Sequence, residues 1–295
     1  MRSAFAAEWR KLLGHTKAIA FLVWIYPIGA LMIVLLIQIL PALLIVPVRE
    51  MMTADPIDWT EDLLSVWNAM NGFPGGTFLR MLFIAFIAIA FAGEYQWGTW
   101  KNIVPRQARM KLIFAKFLVL ATLILLALLL TSLVLAGGGW LQAVLFNIPF
   151  GPSLADLDVA LFLQGVLLQI LTTFVSTLIV ASYAALIAMY SRSIIASLLL
   201  AVGVGIVELA ASLLLLIVSQ ALQRPNLVNI IVALPTYNLD NVRSWVVDGV
   251  GSTLGGFPGF TAVLPLWLSV VILLAWLGGL VGGTAVLFRR QDITS

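Results

Sequence analysis

Residues 117–136 read FLVLATLILLALLLTSLVLA, a run of twenty residues without a charge. At ~1.5 Å per residue, about twenty residues of helix cross a hydrocarbon core of ~30 Å, so this stretch predicts a transmembrane helix. The rest of the 295-residue chain has the same character, because 62% of it is apolar and only 10% is charged. An average soluble domain is ~25% charged. A water-soluble protein of this size could not bury so much apolar surface, and the sequence predicts that lipid surrounds most of it.

The pattern of apolar runs predicts an all-α, polytopic membrane protein with six transmembrane helices in one domain, residues 1–295. The predicted spans are residues 18–48, 78–93, 112–136, 159–190, 194–218 and 262–288. The second span is the weakest, since its strictly apolar part runs only from Met81 to Ala92. Without it, the basic segments 1–17 and 101–116 would lie on opposite sides of the membrane. The first span is too long for the apolar part of a cleaved signal peptide, which is ~7–15 residues.

The placement of Lys and Arg predicts the orientation of the chain, because these residues concentrate in cytoplasmic loops. With the N-terminus inside, 12 of the 16 Lys and Arg residues lie on the inner side and nine of the 13 acidic residues lie outside. The four basic residues on the outer side are Arg49, Arg80, Arg224 and Arg243. We therefore predict a multi-pass protein of the plasma membrane with both termini in the cytoplasm.

The first seventeen residues are polar and basic, and their apolar residues fall at helical spacing. Phe5, Trp9, Leu12 and Leu13 form one stripe, with the charges on the other side of the helix. This pattern predicts an interfacial amphipathic helix at the N-terminus. The alternative is a basic anchor in front of the first span.

Two further segments favour positions at the membrane surface. Residues 49–79 are acidic, and Trp59 and Trp67 within them are typical of an amphipathic segment at headgroup level. Between spans five and six, residues 227–234 are apolar but too few to cross the membrane, and Pro235 ends them. We expect them to form a re-entrant or interfacial segment.

The sequence lacks the residues that several kinds of catalytic and metal site need. There is no cysteine, and His15 is the single histidine, so thiolate chemistry and a His-rich metal site are excluded. No lysine follows a glycine, so the loop that cradles nucleotide phosphates is absent from the sequence. Protease and hydrolase motifs are absent as well. We predict that this chain is not an enzyme and binds no metal or cofactor itself.

Glu208 is the ionisable residue that lies well inside a predicted span. A carboxylate at that depth costs about 2.5–3.5 kcal/mol on insertion scales. At 100° per residue it shares a face with Ser197, Gly205, Ser212 and Ser219. This face is either part of a substrate or ion path or a site of hydrogen bonding between helices.

The fourth span carries a second polar stripe. It consists of Gln169, Thr172, Thr173, Ser176 and Tyr183. Ser and Thr in membrane helices often bond their own backbone carbonyls, which is the alternative to a transport path. The candidate substrate path therefore comprises Gln169, Thr173, Ser176, Glu208 and Ser212.

The densest motif lies between spans two and three. Residues 91–109 read FAGEYQWGTWKNIVPRQAR, and Lys116 follows. The mixed charge, the aromatic residues and the breaks at Gly98 and Pro105 favour a short interfacial helix, a turn and a return into the membrane. The alternative is an ordinary basic loop.

This segment resembles the permease subunits of ATP-binding-cassette (ABC) transporters of the type-2 family, which includes many drug and antibiotic exporters. That family often has a Glu-aromatic-x-x-Gly-Thr string, a turn with Pro and Arg, and a Lys at the start of the third span. The matching residues here are Glu94, Tyr95, Gly98, Thr99, Pro105, Arg109 and Lys116. The opening with Glu8, Trp9, Lys11 and Leu12 and the ending at residues 288–293 are similar too. Residues 106–108 depart from the commoner pattern.

The resemblance implies a permease that works as a dimer, with a second copy or a paralogue, and with two copies of a soluble ABC ATPase that binds ATP and Mg. It implies a cytoplasmic coupling helix between spans two and three. The ATPase-coupling surface would include Phe5, Trp9, Leu12, Glu94, Tyr95, Gly98, Thr99, Arg106 and Arg109. The expected activity is export of a lipid, peptide or hydrophobic compound, without a nucleic-acid partner. The alternative is a channel or proton-coupled carrier that uses Glu208.

Overall fold

The computed structural model describes residues 2–14, 17–71, 75–100, 108–253 and 260–291, and this part of the chain is almost entirely helical. The helices are α1 (Arg2–Gly14), α2 (Lys17–Met32), α3 (Leu40–Leu44), α4 (Val46–Met52), α5 (Trp59–Asn71), α6 (Gly75–Gln96), α7 (Arg109–Phe146), α8 (Val159–Ser191), α9 (Ile194–Ala221), α10 (Pro235–Val247) and α11 (Leu266–Arg290). A π-helix (Ile33–Ile39) follows α2, and a 3-10 helix (Pro225–Ala233) precedes α10. Two short strands, β1 (Ile57–Asp58) and β2 (Phe150–Gly151), pair in parallel. The predicted all-α class is confirmed.

Within the described residues, five helical segments are long and apolar enough to cross a membrane. They are Val23–Leu44, Leu79–Gln96, Arg109–Phe146, Val159–Ser191 and Leu266–Arg290. The predicted fifth span corresponds to α9, in which Ile194–Val207 is a shorter apolar stretch. The polytopic membrane architecture is thus confirmed, while the count of six spans stays a prediction.

The first span is helical but irregular, and its prolines account for part of this. Pro27 lies inside α2, whereas Pro41 and Pro47 lie in the first turns of α3 and α4. A first-turn proline is well tolerated because its missing N–H would have no partner there. Between these two short helices, Ile45 is extended (φ −124°, ψ 107°). The first span, which the sequence predicts to be kinked, therefore consists of several successive short helical segments.

The helix of the third span is longer than the predicted span. The prediction ends at residue 136, yet α7 continues through the three glycines at residues 137–139 to Phe146. A Cβ on Gly138 would lie 2.6 Å from Cγ2 of Val34, and one on Gly139 would lie 1.9 Å from Oδ2 of Asp62. These glycines are thus positions of close packing in a helix interior rather than helix breakers.

The described chain forms two compact units. The first comprises Met1–Glu8, Arg80–Leu118 and Phe174–Ser295, and the second comprises Trp9–Leu79 and Val119–Thr173.

In the second unit, the acidic helix α5 is held by polar bonds to α7 and α8. The Trp67 indole N–H donates to the Ser132 hydroxyl (3.3 Å), and the Asn71 amide donates to the Thr173 hydroxyl (2.8 Å). The Gln169 amide donates to the Asn68 side-chain oxygen at 2.7 Å. Trp67 is 1% exposed, so it is a core residue of this unit. The bonds to span side chains account for this burial.

In the first unit, the segment between α9 and α11 contains the 3-10 helix at the place of the predicted apolar piece, followed by α10. The amphipathic sequence of α10 is only weakly apolar, so its packing could not be predicted from hydropathy. Asn238 donates to the carbonyls of Val232 (2.7 Å) and Leu234 (2.8 Å). Asn241 donates to the Leu264 carbonyl (2.9 Å). Buried amides therefore tie α10 to the chain on both sides of it.

Replacing Gly138 by alanine should lower the stability of the protein, because the new Cβ meets both γ-carbons of Val34. Over-packing costs about 1–3 kcal/mol. The matched control is Gly137→Ala, whose Cβ meets nothing within 4 Å and should add about 0.5–1 kcal/mol through helix propensity. Thermal unfolding of the purified protein in detergent measures both. Adding Val34→Ala to Gly138→Ala should recover stability, and equal behaviour of the two alanine variants would contradict this packing.

Asp62 should make the stability of the protein depend on pH. Burial, with smaller contributions from Asp58 and Glu61, raises the pKa of Asp62 from 3.8 to about 6. The folded protein then holds a proton that the unfolded chain releases, so stability falls as the pH rises from about 4 to about 6. Asp62→Asn should raise the melting temperature at pH 7 and have little effect at pH 4. Asp55→Asn, which removes an exposed carboxylate, is the control. A pH-independent effect of Asp62→Asn would refute this assignment.

Candidate functional site: a buried ion cluster at the helix ends

A buried lysine binds two buried carboxylates in the first unit. The Lys116 ammonium lies 2.7 Å from Oε1 of Glu94 and 3.3 Å from Oε2 of Glu8. It also donates to the Ala90 carbonyl at 2.9 Å. Lys116 is 0% exposed, Glu94 2% and Glu8 3%. The cluster joins the N-terminal helix α1, the C-terminal part of α6 and the N-terminal part of α7.

Aromatic rings complete the surroundings of this ammonium. It lies 5.6 Å from the ring centre of Phe91 and 5.3 Å from that of Trp100, which is within cation–π range. The Thr99 hydroxyl donates to the second oxygen of Glu94. Charges this far from water remain stable only when they are paired and hydrogen-bonded. The Glu94 carboxylate meets that condition through Lys116 and Thr99.

Arg109, at the start of α7, caps the end of the last helix. Its guanidinium donates to the carbonyls of Phe288 (3.3 Å), Arg289 (3.1 Å) and Gln291 (2.6 Å). The last carbonyls of a helix have no partner within it and carry partial negative charge, so a cation there is favourable. The Arg109 guanidinium also lies 5.9 Å from the ring centre of Phe288. The start of α7 and the end of α11 are therefore bonded together.

Gln291 connects two more helix ends to this group. Its side-chain amide donates to the Met189 carbonyl near the end of α8 (2.7 Å), and its side-chain oxygen accepts from the Tyr95 hydroxyl. The Arg192 guanidinium lies 5.5 Å from the ring centre of Tyr95. We call the set of Glu8, Glu94, Tyr95, Trp100, Arg109, Lys116, Phe288 and Gln291 the helix-end cluster. It joins α1 to the ends of α6, α7, α8 and α11.

The residues that the sequence predicts for ATPase coupling differ in accessibility. Gly98 is exposed and has φ +65°, a left-handed conformation in the turn after α6. Glu94 and Leu12 are buried. The half-buried residues are Phe5, Trp9, Tyr95, Thr99 and Arg109. Arg106 and most of the predicted coupling helix lie outside the described residues. The coupling role of all these residues stays a prediction.

Of the predicted substrate-path residues, the structure describes the side chains of Gln169, Thr173 and Ser176. Gln169 and Thr173 bond to α5, as described above, so these side chains stabilise the second unit. Thr172 donates to the Leu168 carbonyl of its own helix. Ser176 is buried in the first unit. The side chains of Glu208 and Ser212 lie outside what the structure describes.

Five members of the helix-end cluster are not among the site residues that the sequence predicts. Glu8 and Lys116 belong only to the motifs of the resemblance, Trp100 to a motif string, and Phe288 and Gln291 to the chain's ending. A usable signal for Glu8 is charge, since it is the one acidic residue of the basic N-terminal segment. No local pattern marks Trp100 or Gln291, because their partners are far away in the sequence. Among the described residues, no group of three or more His, Asp or Glu could hold a metal ion.

Long apolar helices with arginine residues at several of their ends are typical of a membrane-embedded protein. Residues 24–157 match the model of a family described as ABC-2 family transporter protein. This match confirms the predicted resemblance and supports an ABC-2 type permease, the membrane subunit of an ABC transporter. Subunits of this family transport and are not themselves catalytic. No curated protein matches the chain in sequence.

Removing the Lys116 charge should destabilise the protein strongly. Lys116→Met leaves the carboxylates of Glu8 and Glu94 buried without their cation, which costs about 3–5 kcal/mol in comparable buried pairs. Lys111→Met, at an exposed position of the same helix, is the matched control and should have little effect. Thermal unfolding in detergent measures the difference. Adding Glu94→Gln to Lys116→Met should recover part of the loss, and a harmless Lys116→Met would refute the ion cluster.

Proposed function

We propose that this permease exports its substrate with energy from a separate ATPase subunit, which binds α1 and residues 94–111. The observation that carries the proposal is the ion contact of Lys116 with Glu8 and Glu94. It ties the N-terminal helix to the motif that resembles the coupling segment of type-2 permeases. A force that the ATPase applies to α1 or to residues 94–111 would therefore act on the buried Lys116 in either case.

The helix-end cluster supports a mechanical role for this region. A chain that lacks a nucleotide-binding loop needs force from another subunit. Arg109 and Gln291 bond the ends of α7, α8 and α11 to one another, so a displacement at the Gly98 turn would act on several spans together. ATP binding would then bias the permease between an inward-open and an outward-open state, as in any two-state transition with a ligand that prefers one state.

The charge at these helix ends supports a cytoplasmic location for the cluster. Arg192, Arg289 and Arg290 lie at or just beyond the ends of α8 and α11, and Arg109 begins α7. Basic residues at span ends favour the cytoplasmic side. A cytoplasmic ATPase would therefore reach this region directly.

We also propose the composition and cargo of the complex. Two permease chains, identical or paralogous, would bind two ATPase subunits that hold ATP and Mg. The cargo would be a lipid, a peptide or a hydrophobic compound, because the spans are apolar and carry few charges. A transport screen in vesicles with amphipathic dyes and labelled lipids is the direct test of cargo class.

The first experiment is affinity purification of the full-length chain from its native membrane, followed by reconstitution in liposomes. We expect a soluble ATPase to co-purify and transport to require it together with ATP and Mg. A chain that moves substrate at full rate without any ATPase would overturn the proposal. Flux that is instead abolished by Glu208→Gln and depends on a pH gradient would favour the channel or carrier alternative.

Variants of Gly98 and Arg109 should uncouple ATP hydrolysis from transport. Gly98→Val forces a β-branched residue into a left-handed conformation, whereas Gly98→Asn, its control, tolerates φ near +65°. Arg109→Glu places a carboxylate against three carbonyl oxygens, whereas Arg109→Lys keeps a cation. We expect at least tenfold slower transport per ATP hydrolysed for Gly98→Val and Arg109→Glu, with normal insertion. Unchanged coupling in both variants would contradict the role of this region.

A further inference from the structure

An apolar groove lies in the second unit, where the end of α1 packs beside α2 and α7. Its volume is about 110 Å³. The walls include Trp9, Leu12, Leu13, Trp24, Leu126 and Ala127. Apart from two indole N–H groups, these side chains carry no polar atom. The groove is therefore a site for hydrocarbon and not for water or ions.

The groove is closed at its base and open at its mouth. Leu12 is 2% exposed and Ala127 0%, so they form the base. Leu13, Trp24 and Leu126 are between 40% and 45% exposed, so they form the rim. Trp24 and Leu126 lie in segments apolar enough to span the membrane, and the mouth thus opens toward lipid.

The dimensions of the groove suit a short length of hydrocarbon. An engineered apolar cavity of about 150 Å³ in another protein stays dry and binds benzene, so an apolar site of this size favours a guest of a few carbon atoms. In a membrane the abundant guest of that kind is the acyl chain of a phospholipid. A flat lipid-facing surface would not select one chain, whereas a groove walled by three helices does.

A positive charge lies on α1 about one helical turn from Leu13 at the rim. Arg10 is exposed, and it precedes Leu13 by three residues, so the two are neighbours on the surface of α1. Basic residues at a membrane surface attract anionic headgroups. The aromatic rings of Trp9 and Trp24 are typical of the headgroup level, where a lipid would pass from its polar to its apolar part.

We propose that this groove binds one acyl chain of an anionic phospholipid from the leaflet on the side of the N-terminus, with its phosphate at Arg10. The bound chain fills the space between α1 and the two membrane helices and so stabilises the docking of α1. The site goes beyond the transport function and needs neither ATPase nor substrate.

The test is lipid binding to the full-length chain after delipidation in detergent, counted by native mass spectrometry. The probes are phosphatidylglycerol and phosphatidylcholine with identical acyl chains. We expect one tightly bound phosphatidylglycerol, with at least tenfold weaker binding of phosphatidylcholine. Equal binding of the two lipids by the native chain would overturn the headgroup assignment and with it the proposal.

Two variants locate the site. Leu126→Trp narrows the mouth at a partly exposed position and should weaken lipid binding at least tenfold. Leu133→Trp is the matched control, because residue 133 is two turns further along the same helix, is 62% exposed and lies outside the groove. Arg10→Gln should remove the preference for phosphatidylglycerol and leave phosphatidylcholine binding unchanged. Identical lipid counts for Leu126→Trp and Leu133→Trp would refute the groove as the site.

Tryptophan fluorescence gives a second measurement that does not depend on survival of complexes in the gas phase. Phosphatidylglycerol with brominated acyl chains quenches nearby indoles, and Trp9 and Trp24 line the groove. We expect saturable quenching that is smaller in Trp24→Phe and unchanged in Trp140→Phe, an exposed tryptophan of α7 away from the groove. Quenching that grows without saturation, or that is equal in both variants, would indicate general lipid contact and overturn the proposal.

Discussion

The buried ammonium group of Lys116 holds together the ends of several helices in the first unit. Lys116 is wholly buried, and its ammonium is stable there because Glu8, Glu94 and a backbone carbonyl surround it. Since an unpaired buried charge is costly, α1 and α6 must keep their carboxylates in place for α7 to remain as it is. The requirement is mutual, because each carboxylate is equally buried. The region that resembles a coupling segment is thus held by electrostatics rather than by apolar packing alone.

The second unit meets the same constraint with neutral groups. Gln169 and Thr173 are buried in an apolar helix, so their amide and hydroxyl groups need hydrogen-bond partners. Gln169 and Thr173 of α8 bond to Asn68 and Asn71 of α5, and in doing so hold an acidic, amphipathic helix against the spans. Gly139 permits the close approach of Asp62 to α7. Polar residues in apolar helices are therefore not by themselves a sign of a transport path, since here they bind another element.

Part of the candidate site could be predicted from the sequence, and part of it could not. The motif from Glu94 to Lys116 could be recognised locally, because its residues are close in sequence and in the order typical of type-2 permeases. Glu8 and Gln291 join the same cluster from the two ends of the chain, and no periodicity relates them to Lys116. Gly138 and Gly139 show a further contribution of tertiary structure, because they allow close packing inside a helix that continues beyond the predicted span.

Hydropathy alone indicated an all-α protein embedded in lipid, and the residue string of a nucleotide-binding loop is absent from the sequence. These properties follow from composition and from runs of about twenty residues, which are local quantities. Which charges pair, which tryptophan is buried and where a groove forms depended on tertiary structure. Pairing energies arise between atoms about 3 Å apart in space, and such proximity joins residues as distant as Tyr95 and Gln291. Apolar helices can therefore be predicted from the sequence, whereas the helix-end cluster forms only when residues distant in sequence come together in the folded protein.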